Sequence, residues 1–166
     1  MAKKKQAVTN AMRMLTSKKV SFDAIYYEVE GEIERDFGEA VAEKTGIKKE
    51  QSFKTLVARG EHTGILVCCV PVCSEVDLKK LAVASGNKRV ELICVKELLG
   101  LTGYVRGGVS PIGMKKSYPT YLDDSCKAFE KIAVSGGVCG CTLWMNTEDV
   151  IKVTGAKVAS VMKGEK

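Results

Sequence analysis

Two apolar runs separated by a short polar break constrain the fold of this chain most strongly. The runs are "SFKTLVAR" (52–59) and "GILVCCVP" (64–71), and His62 lies in the break between them. Both runs are rich in β-branched and other apolar residues, which favour strands, and the break is short enough for a turn. The pattern therefore predicts an antiparallel β-hairpin.

Further short strands and helices alternate along the chain, without a linker or an internal repeat. Helical spacing and capping residues predict helices over 5–18, 36–46, 74–88 (N-cap Ser74) and 146–157 (N-cap Thr147). Apolar runs predict strands over 22–28, 88–93, 117–123 and 129–137, and a helical turn is expected over 95–101. The mixture predicts a single α+β domain over residues 1–166, whose sheet curls around a core.

Composition narrows the classes of function. The 26 Lys+Arg against 20 Asp+Glu leave a net charge of +6, which favours a polyanionic partner, although ordinary solubility explains the same excess. No 18 apolar residues run together and no apolar segment follows the basic N-terminus, so we expect neither a membrane span nor a signal peptide. Seven cysteines without a C-x-x-C pair, and one histidine, predict reduced thiols and no metal site. We expect a soluble, cytoplasmic protein.

A glycine-rich segment, "GYVRGGVSPIG" (103–113), is the first candidate for function. Gly107 and Gly108 permit positive φ and close approach of another molecule, whereas Pro111 fixes its own φ and restricts Ser110. Successive amides there would form a nest for a phosphate or a polarised carbonyl oxygen. The alternative is an ordinary glycine-rich loop. If the nest exists, a methyl group at either glycine should block the ligand or strain the backbone while the fold survives.

Lysines provide the second candidate. Lys54 lies inside an apolar strand and shares a face with Leu56, so it points inward if Leu56 does; the alternative is a wet strand face. An inward ammonium would polarise a carbonyl or neutralise a phosphate. Lys115 and Lys116 follow the glycine segment and suit phosphate contacts, or form a solvated charge pair, with three tyrosines available to stack on a base: Tyr104, Tyr118 and Tyr121.

These motifs resemble those of the YbaK/EbsC group of aminoacyl-tRNA deacylases, especially its Cys-tRNA(Pro) deacylases. The resemblance is carried by "TGYVRGGVSPIGMKKSYPT" (102–120), "FKTLV" (53–57), "DFGEAVAEKTGI" (36–47), "VDLKKLA" (76–82) and "VSGG" (134–137), in the family's order. It implies a compact domain like the editing domain of prolyl-tRNA synthetases, with a curled, barrel-like mixed sheet flanked by helices. It also implies that the domain acts on the 3′ end of aminoacyl-tRNA, without a cofactor, beside prolyl-tRNA synthetase.

The resemblance also implies roles for individual residues. The family's essential lysine falls on Lys54, and its GxxxP loop falls on Gly107–Pro111, including Gly108 and Ser110. In this family the cysteine thiol of the substrate attacks its own ester and leaves as a cyclic thiolactone, so the protein contributes positioning and electrostatics. The implied pocket for the aminoacyl group consists of Tyr27, Phe53, Tyr104, Ser135, Gly136, Gly137 and Thr142, and the tRNA contacts are Lys115 and Lys116.

One segment departs from the family pattern. Where the family carries a basic pair and then an acidic or amide residue, this chain has Val138, Cys139 and Thr142. The departure bears on the tRNA contact and on the amino acid removed, so two alternatives stay open: a deacylase for another small aminoacyl group such as alanine, and a non-catalytic module that binds aminoacyl-tRNA or a synthetase.

The cysteines are weaker candidates for a nucleophile. Cys68, Cys69 and Cys94 lie in apolar runs, where burial and a raised pKa are expected. Cys139 and Cys141 follow the "VSGG" motif and are the two to test. The sequence leaves the oligomeric state, including a homo-oligomer, open.

Overall fold

The computed structural model describes residues 8–28 and 37–164. Within these residues the helices are α1 (Asn10–Ser17), α2 (Phe37–Thr45), α3 (Leu78–Ser85), α4 (Leu98–Thr102) and α5 (Thr147–Thr154). The strands are β1 (Asp23–Tyr26), β2 (Phe53–Gly60), β3 (Gly64–Pro71), β4 (Val90–Leu92), β5 (Thr120–Asp123), β6 (Lys131–Ser135), β7 (Cys141–Asn146) and β8 (Lys157–Ala159). Short 3-10 helices span Val95–Glu97 and Asp124–Ala128.

The strands form two sheets. The five-stranded sheet has the order β4-β2-β3-β5-β8, in which β2 and β3 form the predicted antiparallel hairpin, paired from Phe53↔Pro71 to Gly60↔Gly64. Strands β5 and β8 extend it in parallel. The three-stranded sheet, β1-β7-β6, is antiparallel throughout. The predicted α+β class is therefore confirmed.

The two sheets meet at the start of β2. Ser52 makes a parallel bridge with Ala133 of β6, whose N–H donates to the Gln51 carbonyl at 2.8 Å. In the described part of the chain the sheets remain separate apart from this bridge, so the expected barrel-like closure is not formed. The junction leaves a space between the sheets, which becomes the candidate site.

Two buried clusters hold the layers together. The larger one packs α1 and α5 on the inner faces of both sheets and includes Leu15, Phe53, Ile132 and Leu143. The second packs α3 behind the hairpin, around Leu66 and Leu81. Burial of apolar surface at about 25 cal/mol per Å² is the main force holding these layers together.

The observed helix ends correct two predicted N-caps. The N-cap of α3 is Asp77, whose carboxylate accepts the N–H groups of Lys79 and Lys80, whereas Ser74 lies in the turn after β3. The N-cap of α5 is Asn146, which accepts the N–H of Glu148, so Thr147 is the first helical residue. In both cases the residue directly before the helix carries a carboxylate or amide oxygen, and this oxygen accepts hydrogen bonds from N–H groups of the first turn.

Two of the strands were not predicted from the sequence, and the N-terminal helix is shorter than expected. Strand β7, "CTLWMN", is largely apolar, and β8 lies where the fourth helix was expected to end. Gly155 ends that helix in the left-handed conformation, so the chain turns into β8 instead. Helix α1 begins at Asn10 with Thr9 as its N-cap, and the predicted residues 5–7 lie outside the described residues. None of the helices in the described ranges has the length and apolarity needed to span a bilayer.

Candidate functional site

A cavity of about 830 Å³ lies where the two sheets meet. The first strand of the hairpin contributes residues 53–57, and the three-stranded sheet contributes Ser135, Cys141 and Thr142. The start of α2, the loop between β3 and α3, and the segment around residues 92–98 contribute further walls. Residues distant in the sequence therefore line one cavity.

Lys54 lies on the wall of this cavity and is half-buried. Burial lowers the pKa of Lys54 below its ordinary value, while the negative charge of Glu75 and Glu39 opposes that shift. Within the described residues, its ammonium makes no hydrogen bond or ion pair at 4.0 Å or less. The side chain is thus a partly desolvated cation that faces the cavity. This is the inward orientation, one of the two interpretations of the strand given above.

The loop after α4 forms another wall, and its backbone differs from a simple nest. Gly107 has a φ of 89° and lines the cavity, but the Gly108 N–H donates to the Val105 carbonyl at 2.9 Å. The Ile112 N–H donates to Ser110 Oγ at 3.2 Å. In the part of the chain that the structure describes, the amides of Gly107 and Val109, both on the cavity wall, have no protein acceptor. The Arg106 amide, on the same wall, has no acceptor among the described residues either, so the available donors of this loop are interrupted at Gly108.

Close packing explains why Gly108 carries no side chain. A Cβ atom at Gly108 would lie 2.9 Å from backbone atoms of Val138 and Cys139. Real Cβ atoms do not approach backbone that closely, so a glycine is needed where this loop touches the turn between β6 and β7. Gly108, Ser110 and Pro111 are buried behind the wall and do not line the cavity.

Tyr104 is buried under the same loop and holds it in place. Its ring is 4% exposed, and its hydroxyl donates to the Ile112 carbonyl at 2.6 Å. A Cβ at Gly137, where φ is 94°, would lie 2.9 Å from Tyr104 Cε1, so the ring packs on this glycine. Burial raises the pKa of Tyr104 to about 12. Tyr104 and Gly137 thus support the cavity and are absent from its lining.

The wall formed by the three-stranded sheet is polar but uncharged. Ser135 and Thr142 are direct partners across β6 and β7, and Thr142 Oγ1 donates to the Val134 carbonyl at 3.0 Å. Gly136 lies just behind, and its N–H donates to the Cys141 carbonyl at 2.9 Å. Tyr27 closes this side, and burial raises its pKa to about 12 against the effect of a hydrogen bond with the Gly140 backbone.

All seven cysteines are free thiols. Cys141 lines the cavity, and burial raises its pKa to about 11, with a hydrogen bond from Tyr26 opposing the shift. Cys139 is partly buried and lies outside the lining. Cys94, expected to be buried, is exposed because the chain leaves β4 before reaching it. Among the described residues, no group of three potential ligands has the geometry for a metal ion.

The structure separates the predicted tRNA contacts from the cavity. Lys115 and Lys116 are exposed and lie outside its lining. Tyr121 is buried in the core, so its ring is not a free stacking surface. Tyr118 is partly exposed, and its hydroxyl donates to the Leu101 carbonyl at 2.7 Å. Sequence reasoning missed Arg106, an exposed cation on the cavity wall. Its position directly before the glycine pair was the available signal.

Six of the proposed site residues line the cavity: Lys54, Gly107, Tyr27, Phe53, Ser135 and Thr142. Sequence reasoning also missed the acidic residues Glu39 and Glu75, which lie on the wall near Lys54. Both stand in ordinary helix and capping patterns, "FGEAV" and "CSEVD", which gave no separate signal.

Comparison with known proteins identifies the family to which this chain belongs. The family model of the aminoacyl-tRNA editing domain matches residues 35–153. An Enterococcus faecalis (strain ATCC 700802 / V583) protein named "Putative Cys-tRNA(Pro)/Cys-tRNA(Cys) deacylase EbsC" is 45% identical over 166 residues, which covers 99% of this chain and 100% of that protein. The uncharacterized protein YwhH of Bacillus subtilis (strain 168) is 27% identical over 120 residues, covering 72% of this chain and 76% of YwhH.

Solved structures share the fold. One, described as "a putative trans-editing enzyme for prolyl tRNA synthetase", superposes with a TM-score of 0.78 at 24% identity, covering 93% of this chain and 96% of that one. Another, the hypothetical protein APE2540, superposes with a TM-score of 0.82 at 19% identity, covering 93% and 99%. With the family match and the 45% identical relative, the resemblance noted in the sequence is confirmed: the chain belongs to the aminoacyl-tRNA editing domain family.

Proposed function

We propose that this chain is a trans-editing enzyme that removes the amino acid from mischarged aminoacyl-tRNA, with Cys-tRNA(Pro) as its main substrate. The observation that carries the proposal is the placement of Lys54 and the available amides of Gly107 and Val109 on one cavity. Membership of the editing-domain family, and 45% identity to a protein named for the deacylation of Cys-tRNA(Pro) and Cys-tRNA(Cys), support the same activity.

Lys54 is the cation that we assign to the terminal ribose or phosphate of the tRNA. A half-buried ammonium attracts an anion more strongly than an exposed one, because less water screens the pair. Its neighbours leave the ammonium available, since no described residue pairs with it at 4.0 Å or less. A lysine held in this way positions a ligand without contributing a nucleophile.

The substrate supplies the nucleophile in the proposed reaction. The cysteine thiol of the aminoacyl group loses its proton, and its sulfur forms a bond to the carbonyl carbon of the same ester. The bond between that carbon and the ribose oxygen breaks, and the ribose oxygen takes up a proton. The products are a cyclic thiolactone and a tRNA with a free terminal hydroxyl.

The loop backbone would stabilise the negative charge that develops on the carbonyl oxygen of the ester. Preorganised N–H donors are effective at this task because they need little rearrangement as charge appears. We assign this role to the amides of Gly107 and Val109, since the Gly108 amide is already bonded to Val105. Tyr104 and Gly137 hold the loop in place from behind.

The two cysteines that follow the "VSGG" motif, Cys139 and Cys141, are poor nucleophiles in this setting. With a pKa of about 11, the Cys141 thiol is ionised in only about one molecule in 10⁴ at pH 7. Burial likewise raises the pKa of Cys139. A thiol that stays protonated cannot compete with a substrate thiol held beside the ester.

The partner and the location follow from the substrate. Deacylation of Cys-tRNA(Pro) in trans requires a means of selecting the tRNA, and we propose that prolyl-tRNA synthetase supplies it. Charged tRNA is a cytoplasmic substrate, so we propose that the enzyme acts in the cytoplasm.

A deacylation panel tests the function directly. Purified protein is incubated with Cys-tRNA(Pro), Ala-tRNA(Pro), Pro-tRNA(Pro) and Cys-tRNA(Cys), and the remaining aminoacyl-tRNA is measured over time. We expect both cysteinyl substrates to be cleaved and the other two to persist, because alanine and proline lack the internal thiol. Cys-tRNA(Pro) carrying an S-methylated cysteine is the matched control and should also persist.

The same panel decides between the alternatives. Rapid loss of Ala-tRNA(Pro) would assign the enzyme to another aminoacyl group. Binding of charged tRNA without loss of any amino acid would make the chain a non-catalytic module. Thiolactone in the quenched reaction, identified by mass spectrometry, would support cyclisation over hydrolysis.

A further inference from the structure

We propose that an exposed rim beside the cavity, formed by Leu92, Val95, Val105 and Arg106, binds the unpaired nucleotides that precede the terminal adenosine of the tRNA. This inference rests on the proposed function, and we call these four residues the outer rim. It assigns a surface to a part of the substrate that the cavity itself does not hold.

The outer rim is unusual because its apolar side chains are exposed. Leu92 is 47% exposed and Val95 is 55% exposed, yet both also lie on the cavity wall. Val105 is 54% exposed and directly precedes Arg106, which is exposed and lies on the same wall. Single exposed apolar residues are common, but a group that continues into a candidate catalytic cavity marks a binding surface.

Hydrogen bonds hold the part of the outer rim around Val95 in a defined shape. Glu97 accepts a bond from Arg59 of β2 at 3.0 Å and another from the Cys94 N–H at 3.2 Å. The Ile93 N–H donates to the Val57 carbonyl at 3.1 Å. The segment 93–97 is thereby fixed to the hairpin, and a surface fixed before binding loses less entropy when a ligand arrives.

The chemistry of the outer rim suits single-stranded RNA. A terminal adenosine inside the cavity requires the preceding nucleotides to leave through its mouth. Unpaired nucleotides present flat base faces and charged phosphates, and proteins bind them by packing side chains, most often aromatic ones, on the bases beside cations. Leu92, Val95 and Val105 offer apolar side chains for this packing, and Arg106 offers the cation. The net charge of +6 favours this polyanion over a protein segment as the occupant.

A binding assay without an aminoacyl group tests the inference. The probe is a fluorescent single-stranded RNA that ends in CCA, and its affinity is measured by anisotropy at several salt concentrations. We expect a Leu92→Ser/Val95→Ser variant to bind about 10-fold more weakly than the wild type, the change that about 1.4 kcal/mol gives. Val83→Ser is the matched control, because Val83 is 83% exposed on α3 and outside the cavity lining.

A second probe separates contacts to bases from contacts to phosphates. An RNA of the same length whose unpaired nucleotides lack bases should bind the wild type and the Leu92→Ser/Val95→Ser variant equally. Arg106→Ala should weaken binding of both probes and reduce the salt slope by about one phosphate contact. Equal losses with both probes in the Leu92→Ser/Val95→Ser variant would overturn the assignment to bases.

Cys94 offers a readout that needs no substitution. It is exposed within the fixed segment, so its alkylation by iodoacetamide is measured by peptide mass spectrometry with and without the CCA probe. We expect protection of Cys94 that increases with probe concentration. Absence of protection, or unchanged affinity in the Leu92→Ser/Val95→Ser variant, would overturn the proposal even where the wild type deacylates Cys-tRNA(Pro). RNA binding at the outer rim in a protein that cleaves no substrate would support this inference while refuting the proposed function.

Discussion

Gly108 packs directly against Cys139: a Cβ atom at Gly108 would lie 2.9 Å from the Cys139 amide nitrogen. This contact joins the loop that carries Gly107 to the wall that carries Cys141 and Thr142. The segment that departs from the family pattern, residues 138–142, is therefore part of the support of the proposed site. Its cysteine and valine contribute backbone at the contact, so their side chains are free to differ from the family's.

The contact predicts that Gly108→Ala destabilises the fold. Forcing a methyl group against fixed backbone costs about 1–3 kcal/mol, and urea unfolding measures that cost. Gly100→Ala is the matched control, because Gly100 lies in α4 with no atom within 4 Å of its would-be Cβ, and alanine favours a helix. Unchanged stability of Gly108→Ala would contradict the observed packing. This revises the expectation from sequence, that a methyl group here leaves the fold intact.

Gly107→Ala should act on catalysis as well as on stability. The φ of 89° is strained for alanine by about 1 kcal/mol, and the loop amides would shift away from the ester oxygen. We expect kcat to fall about 100-fold, comparable to the loss of one oxyanion donor. Gly86→Ala is the control, because it has a similar φ of 77° in open surroundings at the end of α3. Equal activity in both variants would return the loop to a purely structural role.

Part of this architecture was predictable from local patterns. The hairpin and the glycine at the end of α3 follow from strand periodicity and backbone preference, which act within a few residues. The same periodicity left the orientation of Lys54 open between the cavity and a wet strand face. The three-stranded sheet was not predictable from local patterns, because it pairs Asp23 with Trp144, and these residues are far apart in the sequence. The contribution of Arg106 and Glu75 to the cavity wall depends on the same long-range packing. The burial of Tyr104 also depends on long-range packing, although the family resemblance placed this residue in the pocket.

Lys54 should set the alkaline limit of activity. Burial lowers its pKa, so activity that needs the cation should fall as pH rises through a value below 10.5. Glu75 opposes the shift, so Glu75→Gln should lower that pKa further and move the alkaline limit to lower pH. The measurement is kcat against pH, corrected for spontaneous ester hydrolysis, with the exposed Glu91→Gln as control. An alkaline limit that stays in place in Glu75→Gln would separate Lys54 from the reaction.

Lys54 itself can be replaced with little cost to folding. A desolvated cation contributes little to packing, so Lys54→Ala should melt near the wild type while deacylation is lost. Lys54→Arg should also fail, because a planar guanidinium does not fit a site for a point charge. Activity of Lys54→Ala within a few-fold of the wild type would refute the assignment.

Lys115 and Lys116 should affect affinity without changing specificity. Both are exposed outside the cavity lining, where they can reach phosphates of a bound tRNA. The double alanine variant should bind all tRNAs about equally more weakly, with a salt slope reduced by about two contacts. The preference among Cys-, Ala- and Pro-tRNA should stay as in the wild type. A changed preference would mean that these lysines reach the aminoacyl group.

The cysteines provide the last prediction. If the substrate thiol is the nucleophile, a Cys139→Ser/Cys141→Ser variant should keep deacylation within a few-fold of the wild type. Some stability should be lost, because Cys141 is 1% exposed and a hydroxyl there exchanges sulfur contacts for a polar group. Rapid-quench mass spectrometry should find no acyl-enzyme in either protein, and the exposed Cys94→Ser provides the control for general thiol loss. Loss of turnover in a folded double variant, together with an acyl group on Cys141 in the wild type, would replace the substrate thiol by a protein nucleophile.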